Sequence, residues 1–113
     1  MTILSIDIGT TCMKMGVFAL SGDGLERIAE FHGEYEINIY NNALYGDIEP
    51  EKWLNALVAG CRELGEHMLD VDVVSLSGTT PGITPMDRDG NALHPAILML
   101  DQRSREQARR IID

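Results

Sequence analysis

Positive charge is scarce in this sequence. Nine Lys and Arg stand against 18 Asp and Glu, a formal net charge of -9. So acidic a chain repels a phosphate backbone, which makes nucleic acid a poor partner, and anionic membrane surfaces are disfavoured for the same reason. Cysteine is scarce too. Cys12 and Cys61 form neither a CxxC pair nor a Cys/His zinc spacing, and they read as buried cytosolic thiols. No apolar run is long enough to span a bilayer. The start lacks a basic segment, and Asp7 interrupts its apolar stretch, so it does not read as a signal peptide. There is no Asn-x-Ser/Thr sequon and no Gly-x4-Gly-Lys-Ser/Thr phosphate loop. Gly22-x-Gly24 lacks the third glycine of a dinucleotide fingerprint, and His32, His67 and His94 are scattered without metal-ligand spacing. The expectation is a cytoplasmic protein that binds small molecules, with no nucleic acid and no membrane.

What is present is enough for a packed core. The chain has 113 residues, 44% hydrophobic and 24% charged, which suits one compact domain. Met1 to Ile8 reads as a buried strand, broken by Gly9-Thr10-Thr11. Met13 to Leu20 is a second apolar run. Ser21-Gly22-Asp23-Gly24 signals a hairpin, and Leu25 to Tyr35 gives a third strand. Residues 36–48 read as loop. A helix is predicted from Glu49-Pro50, because proline suits a first helical turn. Its apolar stripe is Trp53, Leu54, Leu57, Val58, Cys61, Leu64 and Met68. Val71 to Leu76 is a fourth strand, apolar enough for a central position covered on both faces. Residues 82–87 are read as a short strand, Asp89-Gly90 as a hairpin turn, 96–100 as another apolar run, and Arg103 to Asp113 as a helix.

The order strand, strand, strand, helix, strand supplies the crossover that a parallel fourth strand needs. It matches an α/β, ribonuclease H-like (actin-like) mixed sheet with strand four beside strand one. Gly-Thr-Thr occurs twice, at residues 9–11 and 78–80, each time after a strand. Two such loops at neighbouring strand ends face the same crevice, where open α/β sheets bind ligands.

The chemistry concentrates in Asp7-Ile8-Gly9-Thr10-Thr11-Cys12-Met13-Lys14. Gly9 lets the backbone approach a ligand closely. Thr10 and Thr11 add hydroxyls beside backbone N–H groups, a set suited to phosphate oxygens, and Lys14 adds a positive charge. Asp7 is the anomaly. A carboxylate about 4 Å from a phosphate charge costs roughly 4 kcal/mol at an effective dielectric of 20. A divalent cation between them reverses the sign, so Asp7 predicts Mg²⁺, held through water.

Asp-x-Gly-Thr-Thr followed by lysine resembles the phosphate loop of the FGGY carbohydrate kinases, the group of glycerol kinase, xylulokinase and gluconokinase. Three later segments resemble the family in the same order: Val73-Val74-Ser75-Leu76-Ser77-Gly78 through Gly82, Met86 to Leu93, and Pro95 to Ser104 with its Asp101-x-Arg103. The resemblance covers the whole chain. It implies a sheet with strand order 3-2-1-4-5 and identifies residues 1–113 as the N-terminal portion of an actin-like first domain. It implies a kinase that transfers the γ-phosphoryl group of ATP to a sugar or polyol hydroxyl, with ATP and Mg²⁺ as cofactors. Asp7, Gly9, Thr10, Thr11 and Lys14 would serve Mg·ATP, and Gly78, Thr79, Thr80, Pro81, Met99 and Asp101 the sugar. The general base, an aspartate in this family, falls outside these residues, as do most adenine contacts, so the isolated chain is expected to be inactive.

There are departures. Xylulokinase-like members carry Gln-Met-His where this chain has Thr79-Thr80-Pro81, glycerol kinases carry Arg-Glu at the positions of Thr80 and Pro81, and Met99 replaces a common tryptophan. The Ser-Gly-x-x-x-Gly frame leans toward pentuloses or hexuloses. Asp101 and Arg103 read equally as polyol ligands or as an ion pair within the chain. The alternative reading is a non-catalytic actin-like domain used in assembly or regulation. Whether the protein is a homodimer stays open.

Overall fold

A computed structural model describes residues 1–112. They form two compact units: residues 1–35 with 51–79, and residues 36–50 with those from Thr80 onward.

The first unit is built on a four-stranded sheet. Strand β1 (Thr2–Ile8) pairs antiparallel with β2 (Cys12–Ser21), and β2 pairs antiparallel with β3 (Gly24–Glu34). Helix α1 (Pro50–Leu64) and a 3₁₀ turn (Gly65–Met68) lead to β6 (Val73–Gly78), which lies parallel to β1 on its free side. The order β3-β2-β1-β6 is the expected 3-2-1-4 arrangement. The fifth position expected from the resemblance is not filled: among the described residues this sheet stops at four strands, because the later apolar runs pair elsewhere. Alternation sorts the strands. Leu4, Ile6, Met13, Met15, Val17 and Phe31 turn to one face and pack with Leu64 as the buried core.

Helix α1 starts at Pro50 as its sequence requires, carries Glu51 in its first turn and Arg62 in its last, and stops at Gly65, whose φ of +51° suits glycine. Its buried side is narrower than the sequence stripe. Leu57, Cys61 and Leu64 reach the core, joined by Met68 of the 3₁₀ turn, while Leu54 and Val58 stay exposed. Gly60 replaces them as the point of closest approach. A Cβ there would overlap Met15 Sδ and lie 2.7 Å from Phe31 Cδ1. The helix sits close to the sheet because that position has no side chain.

Strand β6 was expected to be covered on both faces. Instead every residue of it is exposed, Leu76 at 68%. It is the last strand of the sheet, and α1 packs over β1, β2 and β3.

In the second unit, residues 36–48 are not loop. They form a hairpin of β4 (Asn38–Tyr40) and β5 (Tyr45–Ile48), and β5 also pairs with the two-residue β7 (Ala96–Ile97). The tip, Asn41-Asn42-Ala43, holds φ values of +53°, +55° and +61°. Asparagine tolerates that region, and alanine does so at a cost of about 1–2 kcal/mol. Residues 82–87 make isolated bridges (Ile83 with Ile97, Met86 with Ala92) rather than a strand. The turn at Asp89-Gly90 forms as expected: Asp87 Oδ1 accepts the amides of Asp89 and Asn91, and Gly90 has φ +85°. Helix α2 runs Arg105–Ile112, and the expected helix end at Asp113 lies outside the described residues. Among the described residues no helix is long and apolar enough to cross a membrane. Both cysteines are free and half-buried.

Candidate functional site

Parallel pairing of β1 with β6 brings the two Gly-Thr-Thr loops to the same strand ends. Register places Ile8 beside Gly78, and the Thr79 amide extends the ladder by donating to Ile8 O at 2.7 Å. The hydroxyls of Thr10 and Thr79 then meet at 3.2 Å. Two segments 69 residues apart in sequence thus form one polar rim.

Residues 9–12 turn tightly between β1 and β2. Gly9 N–H donates to Cys12 O at 2.8 Å, and a Cβ on Gly9 would lie 2.8 Å from that same oxygen. Glycine is needed here for space, since any Cβ would push the turn open. The turn has a polar asymmetry. Its carbonyls at Gly9, Thr11 and Cys12 are all engaged within the first unit. No hydrogen bond among the described residues uses the amides of Thr10 and Thr11. Carbonyls tied back and amides left forward are the polarity that an anion requires.

Asp7 sits one residue pair before this turn. It is in register with Lys14 on β2 and with Ser77 on β6, so the three side chains share one face of the sheet, opposite the core. Asp7 and Lys14 are both exposed. They line a shallow depression with Ser5, Gly16 and Phe18. Among the described residues no three His, Cys, Asp or Glu side chains group to hold a metal. The residues therefore fit a cation that arrives with its own oxygen ligands, water and phosphate, and needs one carboxylate from the protein. They do not fit a cation caged by the chain.

The expected sugar residues divide. Gly78 and Thr79 belong to the first unit, at the rim just described. Thr80, Pro81, Met99 and Asp101 belong to the second. Thr80, Pro81 and Met99 are exposed, Met99 at 65%. Asp101 is not available as a sugar ligand. Its side chain is 2% exposed and its acceptors are filled. Oδ1 takes Arg103 N at 2.8 Å and Nε at 2.9 Å, and Oδ2 takes Gly46 N and Arg103 Nη2, both at 2.7 Å. The ion pair, one of the two readings open in the sequence, is what forms.

Arg103 is the hub of that cluster. Its Nη2 also donates to Asp47 Oδ2 at 2.8 Å, and its guanidinium carbon lies 4.8 Å from the centre of the Tyr45 ring. Tyr40 donates to Asp47 Oδ2 at 2.5 Å and Asn38 donates to Oδ1 at 3.0 Å. The Arg103 guanidinium holds the Asp101 carboxyl down at about 2. Burial pushes the Asp47 carboxyl up, but hydrogen bonds from Tyr40, Arg103 and Asn38 outweigh it and keep it below the usual range. Asp101 and Asp47 together raise Arg103 further, so the two carboxylates and the guanidinium are charged at neutral pH. Sequence reading missed Asp47 and Tyr40, because their stretch had the composition of a loop. It also passed over Tyr35, which no local pattern marks.

Comparisons with known proteins bear on the chain as a whole. Residues 2–113 match the FGGY family of carbohydrate kinases, N-terminal domain. A xylulose kinase of Staphylococcus xylosus is 32% identical over 111 residues, which is 93% of this chain and 21% of that protein. The chain thus spans about a fifth of the length of the curated relatives it matches. Among solved structures, a xyloylose kinase from Brucella ovis superposes with a TM-score of 0.88 at 23% identity, covering 98% of this chain and 23% of that one. A Plasmodium falciparum glycerol kinase solved with ADP gives 0.81 at 20% identity, covering 97% of this chain and 22% of its own. At those identities the structures establish the fold alone, an α/β mixed sheet.

Proposed function

Since the chain belongs to the FGGY family of carbohydrate kinases as an N-terminal domain, we propose that it supplies the nucleotide-phosphate wall, and part of the sugar wall, of an ATP-dependent sugar or polyol kinase. The observation that carries this reading is the rim where the Thr10 and Thr79 hydroxyls meet beside the free amides of Thr10 and Thr11. Thr10 and Thr11 receive phosphate oxygens of ATP, Gly9 lets the backbone approach them closely, and Lys14 adds positive charge on the face it shares with Asp7. Asp7 holds the nucleotide's Mg²⁺ through water. When bound, that cation supplies neutralisation of the charge carried by the transferring phosphoryl group.

Thr79, Thr80, Pro81, Met99 and the Gly78 backbone are assigned to the sugar side. Thr80 offers a hydroxyl and Pro81 only its carbonyl. Asp101 acts at one remove, by fixing Gly46 and Arg103. Pentuloses or hexuloses are the favoured acceptors, since the xylulose kinases are the curated relatives. Catalysis of this kind is mostly positioning and charge stabilisation, and the proton acceptor is not assigned to any of these residues.

The test is a coupled ADP-release assay on the intact protein that carries this domain, with Mg·ATP and a panel of ketoses and polyols. Turnover that requires one of these sugars is the expected result. A protein that binds Mg·ATP yet never releases ADP with any of them contradicts the kinase reading.

A further inference from the structure

The phosphate turn is braced from behind by Tyr35. This residue directly follows β3, and its backbone amide donates to Thr11 O at 2.9 Å. Its hydroxyl lies 2.6 Å from Gly9 O and 2.9 Å from Cys12 O. The hydroxyl has one proton, so the two carbonyls share it. Main-chain and side-chain donors of one residue thereby engage Gly9, Thr11 and Cys12, three of the four residues of the turn.

The orientation of the amides follows from peptide geometry. In a trans peptide the C=O and the next N–H point in opposite directions. Holding Gly9 O back against the Tyr35 hydroxyl therefore sends the Thr10 N–H forward, away from the core. That amide is one of the two left without a partner in the first unit. The tyrosine thus determines which way the donor points, beyond filling space.

Tyr35 is itself held in place. It packs against the apolar core, and burial together with the neighbouring Cys12 and Asp7 pushes its hydroxyl up to about 12, so it stays a donor across the working pH range. Trp53 on α1 brings a buried indole Nε1 that makes no hydrogen bond of good geometry. Trp53 works weakly in the opposite direction, drawing the Tyr35 hydroxyl back down.

We infer that Tyr35, seated beside Trp53, is the positioning residue of the phosphate turn, drawing the Gly9 and Cys12 carbonyls inward so that the turn keeps its shape and the Thr10 amide faces the nucleotide. The inference rests on the nucleotide reading given above. Tyr35→Phe keeps the ring and its packing and removes only the shared donor.

In the intact protein, peptide-resolved amide exchange across residues 9–12 without nucleotide should speed up about tenfold in Tyr35→Phe. The KM for Mg·ATP should rise about tenfold, with the KM for sugar within about twofold of wild type. A role limited to general stability would move both KM values together or neither. Unchanged exchange, beside a normal wild-type response to Mg·ATP, overturns the brace alone. Faster exchange in a protein whose wild-type form ignores Mg·ATP overturns the nucleotide reading and, with it, the purpose assigned to the brace.

Discussion

Gly9→Ala tests the turn most sharply, because its cost can be worked from distances. The added Cβ would sit 2.8 Å from Cys12 O, and ordinary contact begins near 3.4 Å. The turn must open by about 0.6 Å, the difference of those two values, and the 2.8 Å bond from Gly9 N to the same oxygen must lengthen with it. Overpacking of this kind costs roughly 1–3 kcal/mol, and a weakened hydrogen bond adds about 1 kcal/mol. Alanine returns only about 0.4–1 kcal/mol through the unfolded chain. The net expectation is a loss of about 2 kcal/mol, which lowers the Tm of the intact protein by on the order of a few degrees. The functional loss is larger in proportion, since misplacing a site by about 1 Å can cost about a hundredfold in rate. Differential scanning fluorimetry and steady-state kinetics on the intact protein read both effects. A Gly9→Ala variant with wild-type Tm and wild-type KM for Mg·ATP would refute the reasoning.

Two further expectations concern packing and charge. Gly60→Ala gains about 1 kcal/mol of helix propensity but drives a methyl into Met15 and Phe31, so urea unfolding should show a net loss of about 1–2 kcal/mol; a stabilised variant contradicts the close approach of α1. The Asp101 carboxyl is held at about 2, below its ordinary 3.8, so its contribution is fully present above pH 4 and is lost as pH falls from about 4 toward 2. With screening at the partly open Arg103, that contribution is about 1–2 kcal/mol. Near-UV circular dichroism of Tyr40 and Tyr45 should follow the transition, and Arg103→Lys, which loses the bidentate grip, should shift its midpoint upward. Identical midpoints would count against the cluster.

The first unit was largely legible in the sequence. The strands announced themselves by alternation and glycine-rich turns, and Pro50 marked the start of the helix. The pairing of the two Gly-Thr-Thr loops followed from the crossover rule. Failures came where the signal was not local. Leu54 and Val58 have helical spacing, but Gly60, not a large side chain, determines which side of α1 approaches the sheet. Strand β6 has the composition of a buried strand and lies exposed at the sheet's end. Asparagines and a Gly-Asp pair concealed the β4–β5 hairpin, whose order derives from the buried Asp47–Arg103 pair, 56 residues apart in sequence. Asp101 was open to two readings because an Asp-x-Arg string does not reveal whether the arginine folds back. Tyr35 escaped notice because its partners are backbone carbonyls, which carry no sequence signature.

The central claim is that Asp7 tolerates a nucleotide's charge only through a cation. Steady-state kinetics of Asp7→Asn in the intact protein, with Mg·ATP and sugar varied separately, address it directly. The account expects the KM for Mg·ATP to rise more than about tenfold, equivalent to about 1.4 kcal/mol, while the KM for sugar stays within about twofold. A change confined to the sugar KM would contradict it.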